Sequence, residues 1–579
     1  MSRVVKIVIV FAVILMARPA QAQTPPQPTP DPNSTKLGSI TGRVLVEGQA
    51  VNNASIVVTR VGANAPTRYV PSNDNGDFEA KGLEAGLYQI NVTAPGYVTI
   101  FNEDAYHRVG DSVTLTMQKG AVITGKVLNE SDQPVIAVRV RALRIRDENG
   151  KPVLAPDLDA ERLTDDRGVY RIFGLRPGTY LVSAGGRGPQ AFGINGFDQD
   201  APTFAPSSTR DTAMTISLAG SEEKSIDIHY RGDSGHRVSG SATVPVRQDS
   251  PWVHINLARL INGTESRTST YQNSDVKGFE FFGVEDGDYL IWAQYSPAQG
   301  ELLVSDPRRV TMKGADVTGL ELVVKPLASI AGEFALIPST AAACKGKRQP
   351  AFDETAIAVQ RKQKPLAKPA PETTPQVPWH RFAQVTPDNS ANFLLRNLGP
   401  GQFEFDVRFF AHYWYLQSIT QRTTAKEVAN KPVDLARTLL TLKSGERATG
   451  VKVTLAAGAA TLEGKVEASD SQPLPSGLFV YVVPADKEKV DDPLRYSVAP
   501  VNADGSFAIE QLAPDRYWLI TKVAADNLSG NKSLRSPDAV DARLKLRREA
   551  EAAKAEVALE PCQNVTGHKL SYSNMNRGQ

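Results

Sequence analysis

Apolar and polar residues alternate with a period of two in short runs along the whole chain. Clear examples are SIVVTR at residues 55–60, AVRVRAL at 137–143, WVHINLARL at 252–260 and LFVYVV at 478–483. A period of two places successive side chains on opposite faces of a β-strand, so these runs predict half-buried strands. Gly, Pro, Asp and Asn lie between the runs and predict tight turns. The pattern therefore indicates an all-β protein.

Pairs of aromatic residues ten positions apart recur five times, each pair spanning a strand, a turn and a second strand. The pairs are Phe78/Tyr88, Tyr170/Tyr180, Phe279/Tyr289, Phe393/Phe403 and Phe507/Tyr517. A strand centred on glycine precedes each pair, at residues 40–44, 123–127, 238–242, 330–334 and 462–466. An alternating strand ends each repeat, at residues 112–117, 225–230, 320–324, 451–455 and 556–560. One structural unit is therefore repeated five times.

About seven short strands in each repeat, with turns between them, predict a β-sandwich. We expect five tandem antiparallel β-sandwich domains, at residues 38–118, 119–231, 235–325, 327–456 and 459–579. The fourth carries a Pro-rich insertion at 363–377. The fifth carries one C-terminal helix at 539–555, with Ser536 as its N-cap and Pro537 in its first turn. The tail at 565–570 echoes an opening strand and is expected to add an edge strand.

The first residues have the features of an export signal. Arg3 and Lys6 precede ten apolar residues, and Ala20-Gln21-Ala22 fits a cleavage site, so residues 1–22 are predicted to be a signal peptide. Residues 23–37 are rich in Pro and Thr and predict an extended linker. We expect export to the periplasm or the extracellular space. Later apolar runs are too short to span a bilayer, so no transmembrane segment is expected in the mature chain.

Composition narrows the possible partners. The chain has 65 Lys and Arg residues against 63 Asp and Glu residues, a balance that gives no electrostatic argument for binding nucleic acid. The two cysteines, Cys344 and Cys562, are an even pair that an oxidising compartment allows to form a disulfide. The sequence does not fix their separation in space, so the bonded and free states both stay open at this point.

The repeat resembles the carboxypeptidase regulatory-like domain, which has a transthyretin-like or Ig-like β-sandwich fold. The resemblance rests on the glycine-centred strand, the D-x-x-G-x-F turn, the L-x-P-G-x-Y turn and the APGY segment at 94–97. Units 1, 2 and 5 fit well, whereas Lys277 and Ala391 occupy the turn-glycine position in units 3 and 4. A tandem array of this kind is similar to exported bacterial proteins. Such a resemblance implies a fold more strongly than a function.

Motifs for catalysis are not found. The peptidase activity implied by the family name belongs to a separate zinc domain, and the seven histidines show neither H-x-x-E nor H-E-x-x-H spacing. A G-x-S-x-G elbow and a phosphate-binding P-loop are also missing. The acidic turns at 74–77, 165–168 and 502–505 are interpreted as hairpin turns rather than calcium loops. We therefore predict a non-enzymatic protein without a metal or other cofactor.

Aromatic residues are the candidate ligand contacts. If the second aromatic of each pair faces the core, Trp292 and Trp518 face outward, where aromatic rings commonly stack on sugars. The alternative is that neighbouring units or the C-terminal helix cover both rings. A dense cluster in unit 4 adds Tyr413 and Trp414, and Trp379 lies nearby. There too, burial on both strand faces is the alternative to a ligand groove.

Two functions are hypotheses at this point. The first is an exported binding protein for carbohydrate or an envelope component, acting through Trp292, Trp379, Tyr413, Trp414 and Trp518. The second is an architectural spacer or protein-interaction scaffold in an envelope or enzyme complex, because sandwich edges permit strand addition by a protein partner.

Overall fold

Strands dominate the computed structural model. It describes residues 37–62, 66–99, 105–153, 161–186, 196–245, 252–261, 264–272, 278–297, 301–362, 382–422, 432–468, 473–523 and 534–572. The predicted signal peptide at 1–22, nearly all of the linker at 23–37 and Trp379 lie outside the described residues. The described strands form five successive β-sandwiches, which confirms the predicted all-β tandem fold.

Units 1 and 2 each have two sheets. Unit 1 contains β1 (Gly38–Val46), β2 (Gln49–Ala50), β3 (Ser55–Arg60), β4 (Thr67–Pro71), β5 (Asp77–Leu83), β6 (Leu87–Thr93), β7 (Tyr97–Thr99), β8 (His107–Arg108) and β9 (Ser112–Lys119). Unit 2 contains β10 (Ala121–Leu128), β11 (Arg139–Arg146), β12 (Glu161–Leu163), β13 (Val169–Leu175), β14 (Gly178–Ala184), β15 (Thr203–Phe204), β16 (Ile216–Leu218), β17 (Glu223–Ser225) and β18 (Ile228–His229). In unit 1, β2, β1, β9 and β7 form one sheet with β5 on β1, and β4, β3, β6 and β8 form the other.

Unit 3 differs because its strands form one continuous sheet. They are β19 (His236–Thr243), β20 (Val253–Ile261), β21 (Thr264–Gln272), β22 (Phe279–Val284), β23 (Gly287–Tyr295), β24 (Leu303–Ser305), β25 (Arg308–Met312) and β26 (Val317–Pro326). The short strand β24 pairs with both β23 and β26 and so joins the two layers. The sheet wraps around a core that contains Phe279, Phe281 and Ile291.

Units 4 and 5 return to two separate sheets. Unit 4 contains β27 (Ala328–Ile337), β28 (Thr355–Arg361), β29 (Phe382–Val385), β30 (Asn392–Leu398), β31 (Gly401–Phe409), β32 (Trp414–Gln421), β33 (Val433–Asp434), β34 (Leu440–Leu442) and β35 (Arg447–Ala457). Unit 5 contains β36 (Ala460–Ala468), β37 (Leu478–Pro484), β38 (Ser497–Pro500), β39 (Ser506–Leu512), β40 (Arg516–Val523), the helix α1 (Val540–Ala553), β41 (Glu556–Ala558) and β42 (Asn564–Tyr572).

The opening strand of every unit has a parallel neighbour as well as an antiparallel one. In unit 1, β1 pairs antiparallel with β5 and parallel with β9. The same parallel pairing joins β10 to β17 and β18, β19 to β26, β27 to β35, and β36 to β42. The first and last strands of a unit therefore lie side by side, so each sandwich closes on itself before the next unit begins.

Two details of unit 5 differ from the sequence prediction. The tail forms an edge strand as predicted, but β42 also takes the parallel closing position beside β36. The predicted closing strand at 556–560 instead contributes β41, which pairs with β40 in the other sheet. The helix begins at Val540, and Ser536 does not cap it. The Ser536 hydroxyl instead donates to the Glu404 carboxylate of unit 4 at 2.8 Å, so a contact between units uses the predicted capping group.

Contacts between units are not limited to neighbours in sequence. A backbone hydrogen bond from Gly120 N to Gly96 O joins units 1 and 2. An ion pair between Arg259 and Asp211 joins unit 3 to unit 2, and one between Arg396 and Glu301 joins unit 4 to unit 3. Unit 1 also packs on unit 4 through a small apolar cluster. Units 1 to 4 therefore form a closed circuit of contacts, and unit 5 is attached to unit 4.

Candidate functional site

Trp292 lies on the face of β23 opposite the core, as strand parity predicted, but its ring is covered. Only 1 % of the residue is exposed. It packs with Ala258, Val304 and Leu327 in a second apolar cluster, and Leu327 comes from the connection between units 3 and 4. The ring is buried at the base of a unit junction and is not available to stack on a sugar in this structure.

Trp414 and Trp518 are covered as well. Trp414 is 3 % exposed and belongs to the core of unit 4. Trp518 is half-buried beneath α1, where the Arg547 guanidinium lies 5.0 Å from the ring centroid. The helix supplies the cover that parity alone could not reveal. The hypothesis that these tryptophans form a sugar-binding surface is therefore not supported by their positions.

Tyr413 lies where units 4 and 5 meet. The Asn564 side chain of unit 5 donates to its hydroxyl at 3.1 Å, and the Lys347 ammonium lies 4.1 Å from its ring centroid. The hydrogen bond from Asn564 and the nearby Lys347 lower the pKa of the Tyr413 phenol. Tyr413 therefore contributes to the contact between two units rather than to an open groove.

A disulfide joins the same two units. Cys344 follows β27 in unit 4 and Cys562 precedes β42 in unit 5, and their Cα atoms lie 5.3 Å apart in the bonded pair. The two residues are separated by 218 positions in sequence. The bond thus fixes unit 5 to unit 4 covalently, close to Tyr413 and its partners.

The contact of unit 1 with unit 4 has an apolar centre and polar edges. Val61 and Leu87 of unit 1 and Ala356 of unit 4 are buried together, with Tyr106 and Phe410 packed against them. The guanidinium of Arg108, in unit 1, lies 4.6 Å from the Phe410 ring centroid and 3.6 Å from a Glu354 oxygen. The Tyr106 hydroxyl also donates to the Gln384 side chain, at 3.0 Å. Apolar packing, a cation–π contact, an ion pair and a hydrogen bond therefore join segments about 250 to 300 residues apart.

A cleft of about 1120 Å³ opens beside this contact, with walls from units 1 and 4. Its lining carries charges of both signs, and Lys452 pairs with Glu333 at 3.4 Å. The described lining residues include no His, Ser or Cys. The cleft thus offers polar and charged groups that could recognise a partner.

Exposed aromatic side chains are found in unit 3, at a position that the sequence analysis did not single out. Trp252 is 52 % exposed and Tyr271 is 47 % exposed, on neighbouring strands. The His254 ring stacks on Tyr271 with centroids 4.7 Å apart, and Trp252 meets Tyr271 edge to face at 6.2 Å. We call Trp252, His254 and Tyr271 the unit 3 aromatic cluster. The sequence pattern could have predicted this cluster. Val253 and Ile255 face the core, so the alternation of side chains along the strand places Trp252 and His254 on the outer face.

The acidic turns are stabilised by their own side chains. Asp165 Oδ1 accepts hydrogen bonds from the backbone N–H groups of Arg167 and Val169, and Asn73 and Asp388 make the same two bonds in their turns. These are the Asx-type contacts of hairpin turns. Within the described ranges, His, Cys, Asp and Glu side chains do not gather in threes around a potential metal position. None of the helices in that part of the chain has the length and apolar character needed to cross a membrane.

Fold and repeat together define the protein as a tandem array of β-sandwich domains. Residues 39–118, which correspond to unit 1, match the family model of the carboxypeptidase regulatory-like domain. The match confirms the resemblance that the turn and strand motifs indicated. The curated proteins include no match to the chain.

Several solved structures, bacterial pilins among them, are similar to part of the chain. The Bacillus anthracis TIE protein is 15 % identical, with 50 % of this chain and 51 % of that chain covered and a TM-score of 0.14. A streptococcal ancillary pilin is 11 % identical over 50 % of this chain and 100 % of its own, with a TM-score of 0.16. The minor pilin GBS52 of Streptococcus agalactiae is 11 % identical over 33 % and 94 %, with a TM-score of 0.18. At these TM-scores the similarity carries no argument about function.

Proposed function

We propose that this chain is an exported, non-enzymatic scaffold of fixed shape that holds β-sandwich surfaces in place for protein partners in an envelope or extracellular complex. The observation that carries the proposal is the closed circuit of contacts through units 1 to 4, with unit 5 bonded to unit 4. Flexibly joined binding modules would not need contacts between the first and fourth units. A fixed arrangement of surfaces is what a scaffold requires.

Three further features support this proposal. Trp292 and Trp518 support unit junctions and the helix instead of facing ligand. The disulfide suits an oxidising compartment outside the cytoplasm, in keeping with the signal peptide proposed for residues 1–22. The described lining of the cleft includes no His, Ser or Cys. Together they favour an architectural function over catalysis, and a closed assembly over an extended spacer.

Small-angle X-ray scattering of the purified mature protein tests the closed arrangement. A compact chain of this length has a radius of gyration of about 25 Å, and we expect a value near this range with a profile that is not rod-like. The variant Arg108→Glu places a carboxylate beside Glu354 and removes the cation from the Phe410 ring, so it should increase the radius.

The matched control is Arg43→Glu, because Arg43 is also in unit 1 but pairs within its own unit, with Asp77. It should leave the scattering unchanged. A rod-like wild-type profile, or equal radii for wild type and Arg108→Glu, would contradict the scaffold proposal.

Carbohydrate binding is a second candidate function, and the unit 3 aromatic cluster favours it. Trp252 and Tyr271 present rings to solvent from adjacent strands, and His254 stabilises the arrangement by stacking on Tyr271. Exposed rings held in a fixed geometry are suited to stacking on the apolar face of a sugar. This surface replaces the buried tryptophans as the proposed sugar contact.

A broad glycan array probed with the wild-type protein tests this candidate, with Trp252→Ala and Tyr271→Ala beside it. We expect each substitution to weaken binding of a retained glycan at least about tenfold. Trp518→Ala is the control, since that ring is covered by α1, and it should bind as the wild type does. A blank array, or binding that both cluster variants retain, would exclude the cluster as a sugar site.

A further inference from the structure

A small cavity lies at the junction of units 2 and 3. Its volume is about 80 Å³, and its lining includes Arg210 from unit 2 and Arg259, Thr268, Glu285 and Tyr289 from unit 3. Arg210 sits in a short 3-10 turn, Arg210–Thr212, that reaches across to the unit 3 sheet. The polar part of its lining therefore consists of two guanidinium groups, a hydroxyl, a phenol and one carboxylate.

Arg210 is a buried cation with one unsatisfied guanidinium nitrogen. The residue is 8 % exposed, and its buried Nη2 atom has no hydrogen-bond acceptor among the described residues. A buried guanidinium is normally paired, since removing a charge from water is costly unless a partner compensates it. Burial and the nearby Arg259 lower the pKa of Arg210 to about 9, so the group is still protonated at neutral pH.

Glu285 and Asp211 act on the Arg210 charge electrostatically, but neither forms an ion pair with its guanidinium among the described residues. One Glu285 oxygen accepts from the backbone N–H of Arg210 at 3.4 Å, and the other lies 3.8 Å from Arg259. Asp211 is largely exposed and pairs with Arg259 at 2.9 Å. Burial raises the pKa of Glu285, so this carboxyl group ionises less readily than an exposed glutamate does. The Arg210 guanidinium is thus left facing the cavity without an ion pair within the described residues.

Thr268 supplies a second donor. Its Oγ1 atom is buried and has no hydrogen-bond partner within the part of the chain that the structure describes. Water occupies about 30 Å³ in the liquid, so a cavity of this size has room for an ion larger than one water molecule. We propose that the cavity binds a small inorganic anion, held by the Arg210 guanidinium and the Thr268 hydroxyl, and that this anion joins unit 2 to unit 3.

Amide hydrogen exchange of the whole protein tests the proposal. Sodium chloride or sodium phosphate is titrated into sodium gluconate at matched ionic strength, because gluconate is too large for the cavity. Exchange in peptides covering residues 203–213 and 264–272 should slow by the factor 1 + [anion]/Kd, about fivefold when the anion is at four times its Kd. Slower exchange with either anion supports the site. Slowing by chloride indicates that the site takes a monatomic ion, and slowing by phosphate indicates that it takes an oxyanion.

Two variants assign the effect to the cavity. Arg210→Gln should abolish the anion-dependent slowing, whereas Arg237→Gln should retain it, because Arg237 is a surface residue of unit 3 that lies near Glu280 and Asp316. Thr268→Val preserves the side-chain shape and should weaken anion binding about tenfold, and it serves as the test if Arg210→Gln does not fold. Equal exchange in gluconate, chloride and phosphate would mean that water alone fills the cavity and would overturn the proposal, as would slowing that survives in Arg210→Gln.

Discussion

In units 1, 4 and 5, the first aromatic of the pair packs against a glycine of the opening strand. A Cβ atom added at Gly42 would lie 2.2 Å from the Val113 carbonyl oxygen and 2.6 Å from the Phe78 ring. Gly332 and Gly464 have the same two neighbours in their own units, a closing-strand carbonyl and the ring of Phe393 or Phe507. The aromatic ring therefore packs directly on the glycine of the opening strand. Both residues were visible in the sequence, but only the strand register brings them together.

The variant Gly42→Ala tests this packing. Because the added methyl group would overlap both the Phe78 ring and a backbone carbonyl, we expect it to destabilise unit 1 by about 1–3 kcal/mol. Hydrogen exchange of β5 and β9 measures the loss. Gly196→Ala is the control, since a Cβ atom added there would have open space within 4 Å, and it should change exchange little. Unchanged protection of β5 and β9 in Gly42→Ala would disprove the packing argument.

The second aromatic of each pair fixes the turn before it. The hydroxyl groups of Tyr88, Tyr180, Tyr289 and Tyr517 each donate to the carbonyl oxygen four residues earlier, at 2.7 to 3.0 Å. Unit 4 has Phe403 at this position and so lacks that hydroxyl. In units 1 and 5 the spacing of ten thus meets two separate requirements, a ring that packs on the glycine and a phenol that holds the turn.

These buried phenols predict loss of stability at high pH. Burial is the main cause that raises the pKa of Tyr289 to about 12, above its unfolded value near 10. The folded state thus favours the protonated phenol. The resulting stability is fully present below pH 10 and is lost as the pH rises toward 12. Denaturant unfolding between pH 9 and 12 should show that Tyr289→Phe loses about 2–3 kcal/mol less than wild type over this range. An identical alkaline loss in both proteins would show that Tyr289 does not contribute.

At the scale of strands and helices, the sequence predicted which face of a strand each side chain occupies but not which residues pack over that face. The period of two correctly predicted that the side chains of Trp292 and Trp518 point away from the cores of their units. Their covers are Leu327, 35 residues further along, and Arg547 on α1, and no local pattern links either to the ring. Ser536 illustrates the same limit, because its local capping signal was outweighed by Glu404, a residue of another unit. Local periodicity predicts elements, and contacts between distant segments decide their surroundings.

Leu546 holds α1 against the sheet, whereas Leu544, two positions earlier, faces away from it. Leu546 is buried against the β37–β40 sheet, whereas Leu544 is exposed. Truncating a buried leucine typically costs about 2–5 kcal/mol, so Leu546→Ala should loosen the helix and increase iodide quenching of Trp518 fluorescence. Leu544→Ala preserves the helix propensity and should leave quenching as in wild type. Equal quenching in the two variants would show that α1 is not held by this face.

At the scale of the whole molecule, the disulfide is expected to control how units 4 and 5 separate. In the loop-entropy picture, a bond that closes a loop of about this length stabilises the folded state by up to about 5 kcal/mol. The double variant Cys344→Ser/Cys562→Ser should therefore lower the melting temperature of unit 5, measured by differential scanning calorimetry. Reductant should lower the wild-type value similarly and leave the double variant unchanged. A wild-type melting curve insensitive to reductant would contradict this role.

The sequence predicted five sandwiches but could not predict how they are arranged. Each repeat contains its own strand and turn signals, so the units could be counted from local patterns. The contact between units 1 and 4 involves single residues such as Arg108 and Phe410, which belong to no motif and are separated by about 300 positions. Such a contact can be predicted only when the positions of the intervening units 2 and 3 are known.

The closed circuit of units 1 to 4 also limits how this protein can change over generations. An open row of repeats can gain or lose a copy at either end, because each copy touches only its neighbours. Here, duplication or deletion of a unit between the first and the fourth would move Arg108 away from Phe410 and open the circuit. The number of repeats is thus part of the architecture. Relatives that share it should vary in their loops and in the segments after unit 4, and not in the count of units before it.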